Sequence, residues 1–152
     1  PMIQTSHNIV YFPVADKDIE NAMFDFNNLL PDSSGWDSSR AYAVQILKNG
    51  YVKAVVMYTN FSGENCEMHI ASDSKDWCTR RVLHDLFWYP FEVLKVNRVS
   101  AITRKKDTSL QSFMQRIGFE HEGTMNEFYE KDDAIMWGML KRHCQWFKSK
   151  VN

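Results

Sequence analysis

The amino-acid sequence predicts an α+β fold, a mixed sheet with helices packed on it. Three observations predict it. Residues 41–48, 51–59 and 65–71 are rich in β-branched and aromatic residues and are joined by turn sequences, the pattern of an antiparallel meander. Residues 77–94 and 108–117 repeat apolar side chains at helical spacing, each after a strand-like run. No repeat, low-complexity tract or linker divides the 152 residues, so the whole of 1–152 reads as one domain with one core.

Residues 9–14, IVYFPV, are a short apolar run interrupted by Pro13, a first strand. Asp16 or Asp18 can cap the helix that follows. There Ile19, Ala22, Met23, Phe26, Leu29 and Leu30 keep helical spacing until Pro31 stops it. The polar stretch 32–40 is a long connection, which either covers a binding site or is simply solvated. Asn49-Gly50 supplies the positive φ angles of a tight hairpin turn. Alternation along 65–71 places Cys66, Met68 and Ile70 on one side and Glu67, His69 and Ala71 on the other. From Trp77 the pattern is helical, with Val82, Leu83, Leu86, Phe87, Phe91 and Leu94 in one stripe and a kink or early end expected at Pro90. Val99, Ala101 and Ile102 lie in a strand-like run. Leu110, Phe113, Met114 and Ile117 then recur at i, i+3, i+4, i+7. Asp107, Thr108 or Ser109 can cap that helix, and Gly118 can end it with positive φ. Residues 119–130 and 134–141 read as a closing pair of strands. The order is β-α-β-β-β-α-β-α-β-β.

Composition excludes several classes. At 44% hydrophobic and 14% aromatic, the chain is too apolar for disorder. A net charge of -1 gives no overall pull toward nucleic acid or an acidic membrane, and Arg98, Arg104, Lys105 and Lys106 are the one local basic set. No apolar run approaches the ~20 residues of a membrane span. The first residues, PMIQTSHN, lack a charged-then-apolar export pattern. Cys66, Cys78 and Cys144 are odd in number, widely spaced and without zinc-site spacing, as expected of reduced thiols in a cytoplasmic protein. Trp137, Trp146 and Phe147 are candidates for apolar contact in a homodimer.

Two sets of residues carry a family resemblance. Asn97-Arg98-Val99-x-Ala101 enters the fifth strand, and Ile117-Gly118-Phe119-x-x-Glu122-Gly123 follows the second of the two amphipathic helices above. With Trp77-x-Thr79-Arg80-Arg81 and Phe87-x-Tyr89-Pro90-Phe91 upstream, and with the element order, the chain resembles the GNAT acetyltransferase superfamily from about Tyr42 to Lys141. The pattern is most similar to the branch that acetylates protein N-termini and to related phage-type members. The resemblance implies a central mixed sheet with an antiparallel N-terminal meander, helices on both faces, and fourth and fifth strands that splay apart around acetyl-CoA. The wedge would be residues 67–71 against 99–103. The pyrophosphate would sit on the backbone of Trp77, Cys78, Thr79, Arg80, Arg81 and Val82, where helix N–H groups and the dipole attract an anion.

The sequence departs from that family in four places. The loop pattern Arg/Gln-x-x-Gly-x-Gly/Ala falls on Lys75-x-x-Cys78-x-Arg80, so both glycine positions carry side chains. Arg80 or Arg81 can compensate by pairing with phosphate directly, or the bulk narrows the site. The asparagine that often opens the next helix falls on Asp107, a like charge beside a polyanion. The tyrosine used as general acid falls on Met114, which has no proton to give.

Acetyl transfer to an amine needs a base and donors that polarise the thioester carbonyl. Glu67 and His69 are the candidate bases, sharing one face of the splayed strand, and backbone N–H groups at Ile70 and Ala71 are the candidate donors. His121, Glu122 and Tyr129 are candidates for the acceptor pocket, with Trp36 and Tyr42 beside the long loop. Cys78 is either a reactive thiol with a lowered pKa or a packing residue. The expected activity is acetyl-CoA-dependent N-acetyl transfer to a protein N-terminus, a lysine or a small amine. The alternative is a GNAT-fold binding or structural module that has lost catalysis, for example in a phage particle.

Overall fold

The computed structural model describes residues 3–4, 9–29 and 41–147. The stretch 32–40, with Trp36, lies outside the described residues, as do Leu30 and Pro31. One sheet contains β1 (Ile3–Gln4), β2 (Ile9–Pro13), β3 (Tyr42–Lys48), β4 (Tyr51–Ser62), β5 (Asn65–Ser72), β6 (Arg98–Arg104), β7 (Glu120–Tyr129) and β8 (Asp132–Leu140), in the spatial order β1-β2-β3-β4-β5-β6-β8-β7. The helices are α1 (Ile19–Leu29), α2 (Arg80–Trp88) and α3 (Thr108–Arg116). The first strand read from the sequence is β2, and the fourth and fifth are β5 and β6. Neighbouring strands are antiparallel except β5 and β6, so the sheet is mixed.

Local sequence explains most boundaries. Asn49 (φ 53) and Gly50 (φ 83) form the β3–β4 turn in the left-handed conformation that asparagine tolerates and that glycine, without a Cβ, adopts freely. Asp107 caps α3, its Oδ1 accepting the Leu110 N–H at 3.0 Å, and Gly118 leaves that helix at φ 104. The start of α2 differs from the expected one. Helix begins at Arg80, because Thr79 caps it by accepting the Val82 N–H at 3.2 Å. Trp77 is a core residue instead, fully buried, with Nε1 donating to Ser74 O at 2.7 Å. At Pro90 the chain widens into a π-helical turn, Tyr89–Val93, closed by Leu94 N–H to Tyr89 O at 3.0 Å. A wider turn makes room for the proline ring and its missing N–H.

Helices cover both faces. Ile19, Ala22 and Phe26 of α1 pack with Ala43, Val55, Met57 and Ala71 on one face. On the other, α2 and α3 pack with Val44, Ile46, Val56, Tyr58, Cys66, Met68, Val99 and Ala101. α1 packs mainly on β3, β4 and β5, and among the described residues no helix covers its side of β6, β8 and β7. The C-terminal aromatics do not present the dimer surface expected of them. Trp137 and Phe147 are 2% and 8% exposed, and Trp146 Nε1 donates to Ile117 O at 2.7 Å. For Trp137 the reason is topological, since β8 inserts between β6 and β7 and its alternate side chains enter the core, while Phe147, beyond β8, packs against Phe91 and His84.

The residues that carried the resemblance form a structural clamp. Asn97 Nδ2 donates to Glu64 Oε2 at 2.7 Å, and the Arg98 guanidinium takes both carboxylate oxygens of Glu122. A Cβ on Gly138 would fall 2.4 Å from Glu122 Oε2, so glycine lets the pair lie flat on β8. Both side chains are about a third exposed (29% and 35%), so the ion pair by itself contributes about 0–1 kcal/mol. Gly138→Ala has to displace only the end of the Glu122 side chain and should cost no more than about 1 kcal/mol in urea denaturation. In a Glu122→Ala background the same change should cost clearly less, because its obstacle is gone.

Candidate active site

The site is set by where β5 and β6 stop pairing. Their parallel ladder holds Asn65 against Arg98, Cys66 against Val99 and Glu67 against Ser100. Beyond that rung β5 runs on to Ser72 and β6 to Arg104 without pairing with each other. The facing edges therefore carry backbone donors and acceptors that only solvent or an inserted ligand can satisfy. This gap is the wedge expected between residues 67–71 and 99–103.

Glu67, His69 and Ala71 lie on the α1 face, as their alternation predicts, while Ile70 is on the α2 side. Ala71 is 2% exposed, so its side chain is sealed under α1. His69 packs edge-on to Phe26, and its Nε2 lies 2.7 Å from Thr59 Oγ1. Burial pulls the imidazole down to about 4, outweighing the Glu67 carboxylate 3.6 Å away, so it is neutral at physiological pH. Glu67 stands at the last rung before the strands part, and its Oε2 accepts Asn60 Nδ2 at 2.7 Å. Of the two, Glu67 is better placed to take a proton, because the imidazole is a weak base whose Nε2 is already engaged.

At the mouth of the wedge the predicted anion site narrows. Cys78 N–H goes to Lys75 O at 3.1 Å, Thr79 N–H to Trp77 O at 3.0 Å and Val82 N–H to the Thr79 hydroxyl. Helix geometry leaves the Arg80 and Arg81 N–H groups for an anion. The arginine side chains serve the flanks of α2 instead. The Arg80 guanidinium sits 5.8 Å from the centroid of the Trp146 ring, and Arg81 acts on the Tyr11 hydroxyl, which donates to Asp85 at 2.5 Å. Burial pushes the Cys78 thiol up to about 11, so it is a packing residue and not a thiolate. Trp77 can offer a ligand only its backbone. The capping role of Asp107 commits its carboxylate to α3. Met114 is buried at 3% exposure, where it fills the core.

Two cations act on Cys78 at the mouth, Arg116 at the end of α3 and Lys75. Lys75 Nζ lies 3.3 Å from Ser109 Oγ at the start of α3 and 5.1 Å from the Phe113 ring centroid, spanning the entries to α2 and α3. Its place in the loop pattern was the available signal. Thr59 and Asn60 left none, because their contacts depend on the register of the β4–β5 hairpin and on the bulge within it.

The acceptor-side candidates separate. Glu122 and Tyr129 lie on the open side of β7, Glu122 held by Arg98 and Tyr129 under the Arg104 guanidinium at 4.0 Å. His121 is on the opposite face against Trp137, and Tyr42 packs on Phe61 and Tyr89 on the α2 side. The local basic set is committed at all four positions: Arg98 and Arg104 as above, Lys105 to Asp133, and Lys106 to Lys131 O. Among the described residues, no helix is long and apolar enough to cross a membrane.

No protein-family model and no curated protein sequence matches the chain. Solved structures do. Ribosomal-protein-S5-alanine acetyltransferase from Vibrio fischeri superposes with a TM-score of 0.71 at 14% identity, covering 97% of this chain and 100% of that one. A spermidine N-acetyltransferase from Vibrio cholerae gives 0.70 at 13%, covering 88% and 94%. A GNAT-family acetyltransferase from Bacillus anthracis gives 0.61 at 15%, covering 92% and 98%. The chain thus has the fold of GNAT acetyltransferases.

The His69 environment makes a pH prediction. The unfolded imidazole titrates near 6.5 and the folded one near 4, so the unfolded state binds more protons between those values. Stability should fall as pH drops from about 6.5 to 4, by about 3 kcal/mol in total. Urea denaturation at pH 7, 5 and 4 should show this loss in the wild type and a smaller one in His69→Gln.

Proposed function

We propose that the protein is an acetyl-CoA-dependent N-acetyltransferase acting on a primary amine. The observation that carries the reading is the parting of β5 and β6 directly after Glu67 and Ser100, under a helix that starts with two free N–H groups. The gap fits an extended ligand whose polar groups meet the strand edges. Lys75 and the Arg80 and Arg81 N–H groups fit its pyrophosphate.

Acetyl-CoA supplies an acetyl group on a thioester, from which the amine displaces the thiol as a C–N bond forms and the C–S bond breaks. Glu67 takes the proton of the attacking amine. Successive N–H groups alternate between the two edges of a strand, so one of the pair at Ile70 and Ala71 faces the free edge of β5 and polarises the carbonyl. The departing sulfur takes its proton from water, since Met114 has none to give. The amine approaches over the open side of β6 and β8, where Ile102 and Met136 are apolar and Arg104 stacks on Tyr129. On that face the Glu122 carboxylate is taken up by Arg98, and Arg104 adds a further cation over Tyr129. The face therefore suits a single amine on an apolar residue, as at a protein N-terminus, better than a polyamine.

The second reading, a binding module without catalysis, is favoured by the side chains of Cys78 and Arg80 at the two glycine positions. Isothermal titration with acetyl-CoA separates the two: a saturable site supports the enzyme, and no heat at millimolar ligand sinks it. With acetyl-CoA bound, thiol release should be followed with an amine-terminated peptide and with spermidine. Glu67→Gln should lower kcat by about 100-fold with little change in KM for acetyl-CoA. Lys75→Ala should raise that KM by about 10-fold, the loss of a charge-assisted phosphate contact, and leave kcat nearly unchanged.

A further inference from the structure

β4 and β5 pair in register as far as Thr59 opposite Glu67, and the register then breaks before Ser62 opposite Asn65. Two residues of β4, Asn60 and Phe61, thus face one residue of β5, Cys66, which is a β-bulge. Asn60 takes φ 51, the left-handed conformation that asparagine tolerates better than most L-residues. Regular alternation would turn Asn60 away from the face that Thr59 and Glu67 share. The bulge brings its amide back to that face, where Nδ2 donates to Glu67 Oε2 at 2.7 Å. A carboxylate only accepts, so the amide must present its N–H side.

We infer that Asn60 is a positioning residue for the base of the acetyl transfer, an inference that rests on the function proposed above. Its amide ties one oxygen of Glu67 and fixes the rotation of the carboxylate at the apex of the wedge. The other oxygen, Oε1, is left to accept the proton of the incoming amine. An unusual backbone conformation kept beside a functional carboxylate fits this role. His69 lies near the same oxygen, but its Nε2 is taken by Thr59, so the amide is the group that orients Glu67.

The test compares three proteins with the wild type, using the best acceptor found in the thiol-release assay. Asn60→Gly keeps the left-handed bulge and removes the amide. Asn60→Asp keeps the shape and places a second carboxylate against Glu67. Asn60→Gly should lower kcat by about 10-fold and Asn60→Asp by more, with KM for acetyl-CoA within about twofold and the thermal midpoint of Asn60→Gly nearly unchanged. In a Glu67→Gln background, Asn60→Gly should have no further effect on kcat, because the two residues act as one unit. Full activity in Asn60→Gly, or a loss that persists in the Glu67→Gln background, overturns the positioning role while leaving the enzyme reading intact. A wild type that neither binds acetyl-CoA nor releases thiol overturns the enzyme reading, and this inference with it.

Discussion

Three rungs of parallel ladder hold the two halves of this molecule in place. Asn65, Cys66 and Glu67 meet Arg98, Val99 and Ser100, and nothing joins the strands above them. A longer ladder would close the gap, and a shorter one would leave the meander attached to the β6–β8–β7 half only through the cores. The ladder is reinforced at its base, where Asn97 and Arg98 both donate backbone N–H groups to Glu64 O at 3.0 Å and Ser100 Oγ donates to Asn65 Oδ1 at 2.6 Å. Glu67 is thus at once the last structural rung and the first side chain of the open wedge.

The two faces of the sheet then divide the work. The α2 face is an aromatic core, with Trp77, Phe87, Phe91 and Trp137 nearly or fully buried. Tyr58 is buried there too, donating to Leu86 O at 2.5 Å, and burial holds its hydroxyl neutral. This core sets the tilt of α2 against the sheet and so the position of its N-terminus. The α1 face is smaller and more polar. It buries His69 in neutral form and leaves Glu67 partly exposed at the end of the β5–β6 ladder.

The loop before α2 balances its losses. Side chains at Cys78 and Arg80 replace the conformational freedom of glycine. Thr79 spends its hydroxyl on the helix cap, and the two arginines serve packing on either flank. Among the described residues, what faces that mouth is a pair of backbone N–H groups with Lys75 and Arg116 nearby. Charge at that mouth is mixed, since Asp107 stands at the start of the neighbouring helix beside the Lys75–Ser109 contact.

The sequence by itself determined the element order, the Asn49-Gly50 turn, the faces of β5 and the candidate pair Glu67 and His69. These depend on short-range rules: alternation along a strand, periodicity along a helix, and φ preferences at turns. It also pointed to the wedge, through residues that turned out to be a clamp, Asn97 to Glu64 and Arg98 to Glu122 across Gly138. Only the tertiary structure distinguishes the two candidates, because burial under α1 makes His69 a weak base while Glu67 stands at the last rung of the β5–β6 ladder. The same holds for Arg80 and Arg81, whose side chains the family resemblance offered to a phosphate and which lie instead on Trp146 and the Tyr11 hydroxyl. Asn60 was invisible for a similar reason: its role arises where a register break turns one amide toward a carboxylate seven residues on, across a hairpin. Contacts of that kind are set by how strands are brought together in three dimensions, which residue type and local spacing do not encode.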